Sequence, residues 1–264
     1  GLEIQEFMIR PENVVNFKEA IRRSYLVIQN LKKKVNNTNV GDEGGFAPDI
    51  NSASEVIETI LKAINDAGFK AGKDIYLSLD VASTEFYKNN SYNLKGENIN
   101  LNSDQMIQYL EKLVNSYPIY SVEDGMSEDD WEGWTNLTNT LGNKIQLVGD
   151  DLFVTNKKRL QKGINDNAGN SILVKVNQIG TLKETLESIQ LAKDNNFTTV
   201  ISHRSGETED TTIADLSVGV SAGQIKTGSL SRTDRTAKYN QLLRIEEELE
   251  DSAIYAGSSI LKNI

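Results

Sequence analysis

A repeated alternation of short apolar runs and helical stretches, from about residue 75 onward, constrains the fold more than any other feature of this sequence. Most of the runs are consecutive Val, Ile and Leu residues, which is typical of strands covered on both faces. Strand–helix units in series produce parallel strands with right-handed crossovers, so the pattern predicts either an open doubly wound sheet or a closed barrel. The predicted strands are residues 75–79, 119–122, 145–148, 172–176, 198–202 and 224–226.

The first seventy residues follow a different plan. One strand at residues 4–9 precedes two successive helices, near residues 14–34 and 53–67. Residues 85–97 carry two adjacent asparagines between two tyrosines and predict a surface β-hairpin. No linker-like stretch divides the sequence, and we therefore predict one domain over residues 1–264.

Two of the later helices show apolar residues at helical spacing, which predicts the faces that they bury. The predicted buried stripes are Met106, Ile107, Leu110 and Leu113 in one helix and Leu182, Leu186, Ile189 and Ala192 in the other.

The amino-acid composition excludes several classes of binding partner and several kinds of metal site. The chain has 28 Lys and Arg against 38 Asp and Glu, a formal net charge of −10, so we expect no nucleic-acid partner. It has no cysteine, which excludes thiolate metal sites and fits a reducing, cytoplasmic location. Its apolar runs are shorter than the about 20 residues that span a bilayer, so we expect no membrane insertion. A single histidine excludes metal sites built from two or three histidines, and the common nucleotide-binding and serine-hydrolase motifs are absent.

Three consecutive predicted strands are each followed by a carboxylate: Asp80, Glu123 and Asp150. Because the carboxyl ends of parallel strands meet at one edge of a sheet, we expect these acids to converge. Three carboxylates need a counter-charge, and a hard divalent cation such as Mg²⁺ takes oxygen ligands and keeps positions open for water or substrate. The simpler interpretation is that each acid caps the next helix; for the three together we favour the metal.

The next three predicted strands carry basic groups instead. Lys175 falls inside the fourth strand, His203 and Arg204 follow the fifth, and Lys226 ends the sixth. A lysine within an apolar run needs an acidic partner or a catalytic role such as general base, because burial disfavours the ammonium ion. The alternatives are a structural salt bridge for Lys175 and an ordinary core position for His203.

Two further acids are candidates for proton transfer. Glu43 lies in a Val-Gly-Asp-Glu-Gly-Gly run whose glycines let the backbone approach a ligand, and Glu6 lies in the middle of the first strand. Two carboxyl groups at one site can share a proton and act as an acid. A surface turn for Glu43 and a solvent-facing position for Glu6 fit the spacing equally well.

Six segments of the sequence resemble the enolases, the glycolytic phosphopyruvate hydratases, of the bacterial type. The similarity extends over nearly the whole chain. It implies an α/β fold, the enolase-type (β/α) barrel, and Mg²⁺-dependent dehydration of 2-phosphoglycerate to phosphoenolpyruvate. The segments are residues 3–11, 40–48, 146–156, 174–182, 201–210 and 225–249.

The resemblance implies a role for each candidate residue. Lys175 would take the α-proton of 2-phosphoglycerate, and Glu43, with Glu6 beside it, would help hydroxide to leave. A cation makes such proton removal feasible, because it stabilises the charge that develops on the substrate oxygens. The implied metal ligands are Asp80, Glu123 and Asp150, and the implied substrate-binding residues are Gln5, Glu6, Lys175, His203, Arg204, Ser205 and Lys226. Among these, Arg204 and Ser205 would hold the phosphate and Lys226 would face the carboxylate.

Enolases differ from this chain at the start, because they carry a smaller N-terminal α+β domain and a first barrel strand ahead of residues 3–11. We therefore expect a barrel one strand short of eight, without the family's second Mg²⁺ site or its mobile loop. Because that loop shields the reacting centre from water, we expect residues 1–264 alone to be a weak or inactive enzyme.

Two other functions stay open. Another enolase-superfamily activity, such as an acid-sugar dehydratase or a muconate-type isomerase, would share the three acids, but the phosphate-compatible Arg204 disfavours it. A non-catalytic surface or scaffold binding role is the second. The implied partners are a small phosphorylated acid and, in the parent protein, further copies forming a homodimer or higher homo-oligomer. The implied location is the cytoplasm, with presence at the cell surface left open.

Overall fold

The computed structural model describes residues 1–261, which form a curled α/β sheet covered by helices, with a small three-stranded sheet beside it. The strands are β1 (Glu6–Pro11), β2 (Ile75–Asp80), β3 (Tyr87–Lys88), β4 (Ser91–Leu94), β5 (Ile99–Leu101), β6 (Ile119–Glu123), β7 (Gln146–Gly149), β8 (Ser171–Val174), β9 (Thr198–Ser202) and β10 (Ile225–Lys226). The helices are α1 (Phe17–Lys32), α2 (Ala53–Asp66), α3 (Ser103–Ser116), α4 (Trp131–Leu141), α5 (Lys157–Asp166), α6 (Val176–Ile179), α7 (Leu182–Asp194), α8 (Thr212–Gly219) and α9 (Thr233–Leu249).

The large sheet has seven strands in the order β1-β2-β6-β7-β8-β9-β10 within the described part of the chain. From β2 to β10 neighbouring strands are parallel, whereas β1 pairs antiparallel with β2 and places Glu6 opposite Asp80. The beginning of β1 therefore lies where the parallel strands end. We call this the carboxyl edge, defined by Glu6, Asp80, Glu123, Val174 and Lys226.

This arrangement confirms the predicted barrel-type α/β fold. The seven predicted strands of the sheet are present, and β7 and β8 are buried along their whole length, as their runs of apolar residues require. Helix α3 buries the predicted stripe, and it begins after Asn102, whose side chain forms a capping box with Gln105. The predicted hairpin is β3 and β4, joined by Asn89 and Asn90, which both adopt positive φ as a tight hairpin turn requires.

The position of two candidate residues differs from the prediction. Strand β8 ends at Val174, so Lys175 lies just past the strand rather than inside it. The reason is that the Lys175 N–H donates to Thr155 Oγ1 at 3.0 Å instead of joining the sheet. Glu6 is the first residue of β1 and not a mid-strand residue, which brings it to the carboxyl edge.

The predicted apolar stripe of α7 is half wrong. Leu182 and Leu186 are 60% and 41% exposed, and the helix instead buries Thr185 and Ser188 with Ile189 and Ala192. Small polar residues fill this face because they find partners there, as Ser188 Oγ donates to the Thr155 carbonyl at 2.9 Å. Across residues 1–261, we find no helix with the length and apolar character needed to cross a membrane.

Candidate active site

A lysine whose side chain is only 11% exposed holds three carboxylates together at the carboxyl edge. Lys226 Nζ lies 2.7 Å from Asp80 Oδ2, 3.0 Å from Glu123 Oε2 and 3.2 Å from Glu6 Oε2. Burial opposes the charge on Lys226, but the carboxylates of Glu123, Asp80 and Glu6 outweigh it and raise its pKa well above the usual value. Two of the three predicted metal ligands, Asp80 and Glu123, therefore contact one ammonium group.

Glu123 is only partly satisfied by this contact. The side chain is buried, and burial together with the neighbouring Asp80 raises its pKa well above the ordinary value. Glu123 Oε1 and Asp150 Oδ1 are buried and have no hydrogen-bond partner among residues 1–261. Carboxylate oxygens in this state are costly to bury unless a cation or a ligand completes their coordination.

The third predicted metal ligand, Asp150, pairs with the predicted base. Lys175 Nζ donates to Asp150 Oδ2 at 2.7 Å, and both side chains are largely buried. The pair lies at the carboxyl edge because Asp150 directly follows β7 and Lys175 directly follows β8. This contact is the salt bridge that the simpler interpretation of Lys175 predicted, and it leaves the second oxygen of Asp150 available.

Asp150 also belongs to a cluster of three aspartates. In the described part of the chain, Asp124, Asp150 and Asp151 have carboxylate oxygens that all lie within 4.8 Å of one another. Burial and the charge of Asp150 raise the pKa of Asp124, and the same causes raise the pKa of Asp151 to about 6. The two oxygens of Asp124 already accept the backbone N–H groups of Asp150 and Asp151, both at 2.9 Å.

The two candidate acids, Glu6 and Glu43, are hydrogen-bonded to each other. Burial raises the pKa of Glu6 to about 8 despite the opposing charge of Lys226, and the hydrogen bond to Glu43 adds to the shift. Burial also disfavours the charge on Glu43, but hydrogen bonds from His203 and Glu6 outweigh it and lower its pKa. Ser205 Oγ donates to Glu43 Oε1 at 3.2 Å, and His203 Nε2 lies 3.5 Å from Glu43 Oε2. At neutral pH this pair therefore holds a proton on Glu6 next to an ionised Glu43.

Arg204 and Gln5, the remaining candidates, border the same edge. Arg204 Nη1 donates to Asn177 Oδ1 at 3.0 Å, and its backbone N–H donates to Glu207 Oε2 at 3.0 Å. Gln5 is exposed, and its backbone N–H donates to the Asp80 carbonyl at 3.0 Å. Arg204 is half-buried, so neither residue is as enclosed as Asp80 or Glu123.

Comparison with known protein families matches residues 1–264 to the family described as enolase, C-terminal TIM barrel domain. The chain belongs to this enolase family. The match covers every segment that the sequence resemblance used, and it agrees with the curled α/β sheet described above.

The carboxyl edge of this enolase barrel fits a hard divalent cation. The unpartnered oxygens of Glu123 and Asp150 are ligands that such a cation prefers, and Asp80 lies beside Glu123 on the neighbouring strand. Asp124 is less available, because both of its oxygens already accept backbone N–H groups. A bound cation would supply positive charge beside the carboxylate of a substrate.

Sequence reasoning missed four charged residues that the structure places at or next to the candidate site. Asp124 and Asp151 each directly follow a predicted metal ligand, so an acid pair after a buried strand was an available signal. Arg235 and Lys238 gave no such signal, because charged residues along a helix are typical of a solvated face. Both are nevertheless fully buried in α9.

A cavity of about 1330 Å³ runs along the side of the enolase sheet between β1 and β10. One end of the cavity reaches Glu6, Glu43, Glu123 and Lys226, whereas the rest is lined mainly by apolar side chains of α1, α2 and α9. Only the polar end coincides with the site, so the size of the cavity says little about the substrate.

Proposed function

We propose that this enolase-family domain catalyses the Mg²⁺-dependent, reversible dehydration of 2-phosphoglycerate to phosphoenolpyruvate, the reaction used in glycolysis and gluconeogenesis. One observation carries the proposal. A lysine–carboxylate pair, buried unpartnered carboxylate oxygens and a proton-sharing glutamate pair all lie at one edge of the sheet. The reaction needs a base at C2, an acid at the C3 hydroxyl, and positive charge near the carboxylate and the phosphate.

Lys175 is the proposed base. Its Nζ donates to Asp150 Oδ2 at 2.7 Å, and the neutral amine, which still has N–H groups for this bond, is the form that can accept the C2 proton of the substrate. The fixed contact to Asp150 restricts where the amine can point, which keeps it at the edge that the substrate would reach. Removal of the C2 proton leaves an electron pair that forms the C2–C3 double bond as the hydroxyl departs.

The Glu6–Glu43 pair is the proposed acid. The C3 hydroxyl leaves as water with a proton from this pair, delivered through Glu43, and Glu6 holds the shared proton before the reaction. Hydrogen bonds from Ser205 and His203 hold the Glu43 carboxylate in place. We propose that this orientation, together with the raised pKa of Glu6 that keeps the proton in the site at neutral pH, makes the proton transfer effective.

Two sets of contacts are proposed for the two anionic groups of the substrate. Arg204 and Ser205 are the proposed phosphate ligands, since a guanidinium group and a hydroxyl suit phosphate oxygens. Lys226 is the proposed carboxylate contact, together with Mg²⁺ on Asp80, Glu123 and Asp150. Water must be kept out for these charges to act strongly, and the edge is buried on the strand side.

The test is phosphoenolpyruvate formation from 2-phosphoglycerate with and without Mg²⁺, alongside exchange of the C2 proton with deuterated solvent. Proton exchange reports removal of the C2 proton even where the complete reaction is slow, so it is the more sensitive readout. Lys175→Ala should reduce both rates by about 10²- to 10⁴-fold, the usual contribution of a general base. The matched control is Lys183→Ala, because the Lys183 side chain is 85% exposed and should leave both rates unchanged.

Each other result counts against the proposal. A folded chain that binds Mg²⁺ but shows neither exchange nor turnover would reject this reaction for residues 1–264, although the family and the metal site would stand. Turnover of acid sugars or muconates in preference to 2-phosphoglycerate would assign a different superfamily reaction. Equal loss in Lys175→Ala and Lys183→Ala would remove Lys175 from the role of base.

We further propose that residues 1–264 form a single domain, that the parent protein is a homodimer or higher homo-oligomer in the cytoplasm, and that it is of the bacterial type. A single cooperative unfolding transition tests the first part. Light scattering of the purified parent protein tests the second.

A further inference from the structure

Arg235 is a fully buried arginine that ties two loops of the site to helix α9. Its Nη1 donates to the Arg204 carbonyl at 2.7 Å, and its Nη2 donates to the Ser205 carbonyl at 2.9 Å and the Asp42 carbonyl at 3.1 Å. One guanidinium group therefore holds the segment that carries the proposed phosphate ligands and the loop that carries Glu43.

Gly228 leaves the space that the Arg235 side chain occupies. A Cβ at Gly228 would lie 2.8 Å from Arg235 Cδ and 2.7 Å from the Glu43 carbonyl oxygen, so only glycine lets these groups approach. The carboxylate of Asp234 is 3.8 Å from Arg235 Nε, and the shorter contacts described for the guanidinium are to carbonyls and a histidine. A buried cation held mainly by carbonyls is costly, and a packing role would be served at lower cost by an apolar side chain.

Arg235 also determines which nitrogen of His203 carries the hydrogen. Arg235 Nη1 contacts His203 Nδ1, and the guanidinium group is a donor that does not lose its proton in proteins. Nδ1 must therefore accept, which leaves the hydrogen of the neutral ring on Nε2. His203 Nε2 is the nitrogen that faces Glu43 Oε2, at 3.5 Å.

Helix α9 holds the same segment at a second point. Lys238, also fully buried, donates to the carbonyls of Thr208 and Asp234, and its Nζ lies 3.5 Å from Glu207 Oε1. Glu207 Oε2 in turn accepts the backbone N–H of Arg204. The segment is thus fixed from α9 on both sides of Ser205.

We propose that Arg235 is a positioning residue: it fixes His203 as the neutral tautomer with the hydrogen on Nε2, directed at Glu43, and holds the Asp42–Glu43 and Arg204–Ser205 backbones in one geometry. The catalytic consequence rests on the proposed function, because it assumes that Glu43 is the acid and that Arg204 and Ser205 bind phosphate. The tautomer does not rest on it.

The first test is nitrogen NMR of ¹⁵N-histidine-labelled protein at neutral pH. The chain has a single histidine, so one ring gives the whole signal. The expected spectrum has a protonated Nε2 and an unprotonated Nδ1. A ring protonated on Nδ1, or on both nitrogens, overturns the proposal whether or not the protein is an enzyme.

The second test compares Arg235→Lys with the matched control Arg159→Lys. Arg159 is a half-buried arginine on α5 whose Nε donates to the Leu152 carbonyl at 2.7 Å, so its replacement loses a similar bond elsewhere. A lysine at position 235 keeps the charge but cannot reach the histidine and three carbonyls together. We expect a mixed tautomer signal, a KM for 2-phosphoglycerate raised several-fold and kcat lowered by about 10²-fold, the effect of a displacement near 1 Å.

Arg159→Lys should change none of these readouts. An Arg235→Lys protein with lower thermal stability but an unchanged histidine spectrum, KM and kcat would show a purely structural role and overturn the proposal. If Arg235→Lys does not fold, the spectrum of the unmodified protein decides. A spectrum as expected in a chain without dehydratase activity keeps the tautomer assignment and rejects only the proposed reaction.

Discussion

The two ends of the sheet both bury charged groups, but they treat them differently. At the carboxyl edge, Lys226 contacts three carboxylates, and oxygens of Glu123 and Asp150 are left without hydrogen-bond partners in the described chain. At the opposite end, which we call the amino edge, burial raises the pKa of Glu12, and the charge of Arg10 and the backbone of Ser258 only partly offset this shift.

The amino edge is closed by the C-terminal segment. Tyr255 donates its hydroxyl to the Pro11 carbonyl at 2.8 Å, and the Arg10 guanidinium lies 5.5 Å from the centre of the Tyr120 ring. The Tyr255 hydroxyl thus has a partner inside the chain, and this contact holds the C-terminal segment against the end of β1. The unpartnered oxygens of Glu123 and Asp150 are costly to bury, so a ligand bound at the carboxyl edge would stabilise the fold. The two edges therefore differ in how their polar groups are partnered, and this difference is independent of any relative.

Removing one unpartnered carboxylate should have the largest effect, and it should fall on activity. Glu123→Gln is expected to lower kcat by about 10²- to 10³-fold. A neutral amide would hold a divalent cation less well, and the cation is needed to stabilise the charge that develops in the transition state. Steady-state assays of phosphoenolpyruvate formation measure the change. Gly257→Ala at the amino edge should leave kcat unchanged, and equal losses in the two variants would erase the distinction between the edges.

Mg²⁺ should stabilise the protein through the carboxyl edge alone. At a concentration 100 times its Kd, a cation that binds only the folded state adds about 2.7 kcal/mol to the free energy of unfolding. Differential scanning calorimetry with and without Mg²⁺ measures this as a rise in Tm. We expect the full rise in Tm in Gly257→Ala and none in Glu123→Gln. A rise in Tm that persists in Glu123→Gln would show that the metal binds to other ligands.

At the amino edge the expected effect is on stability. Gly257 has φ +51°, and a Cβ there would lie 2.9 Å from Glu12 Oε2. Gly257→Ala should therefore lower the free energy of unfolding by about 1–3 kcal/mol, as measured by urea denaturation. Gly219→Ala is the control, because a Cβ at that position has no heavy atom within 4 Å. Equal stability of the two variants would show that the amino edge is not tightly packed around Gly257.

The smallest effect concerns the proton on Glu6. Its pKa is raised to about 8 in the folded protein from 4.5, so the folded state binds more protons between these values. The contribution of Glu6 to stability is therefore complete below pH about 4.5 and is lost as the pH rises through about 8. Carboxyl ¹³C NMR should show one glutamate titrating near pH 8, absent in Glu6→Gln. A Glu6 that titrates near its ordinary value would mean that the pair shares no proton.

Several features of the edge were predictable because they depend on neighbouring residues only. Asp80 and Glu123 end β2 and β6, and Asp150 follows β7 directly, as the apolar runs before them indicate. The apolar run predicts Lys175 inside the strand, whereas it lies one residue past the strand end. A hydrogen bond from its backbone to Thr155, twenty positions away, ends the strand at Val174, and no local pattern reports such a bond.

The same reasoning explains the error in α7. Apolar spacing assigned Leu182 and Leu186 to the core, but Ser188 finds the Thr155 carbonyl as a partner and takes the buried face. Helical periodicity reports the face a helix could bury and not the partners that are available to it.

By itself, the amino-acid sequence determined the strand–helix alternation, a parallel α/β fold and the edge at which the charged residues gather, because these follow from local patterns of apolar residues and from the chirality of their connections. The choice of a barrel over an open doubly wound sheet rested on the resemblance of six segments to a known family. Only the tertiary structure decided which charges meet. Lys226 and Asp80 are 146 positions apart, and Arg235 is 193 positions from the Asp42 carbonyl that it holds. Contacts between such distant residues are set by how the whole sheet curls and how α9 packs against it, and burial then decides which of their charges must find a partner.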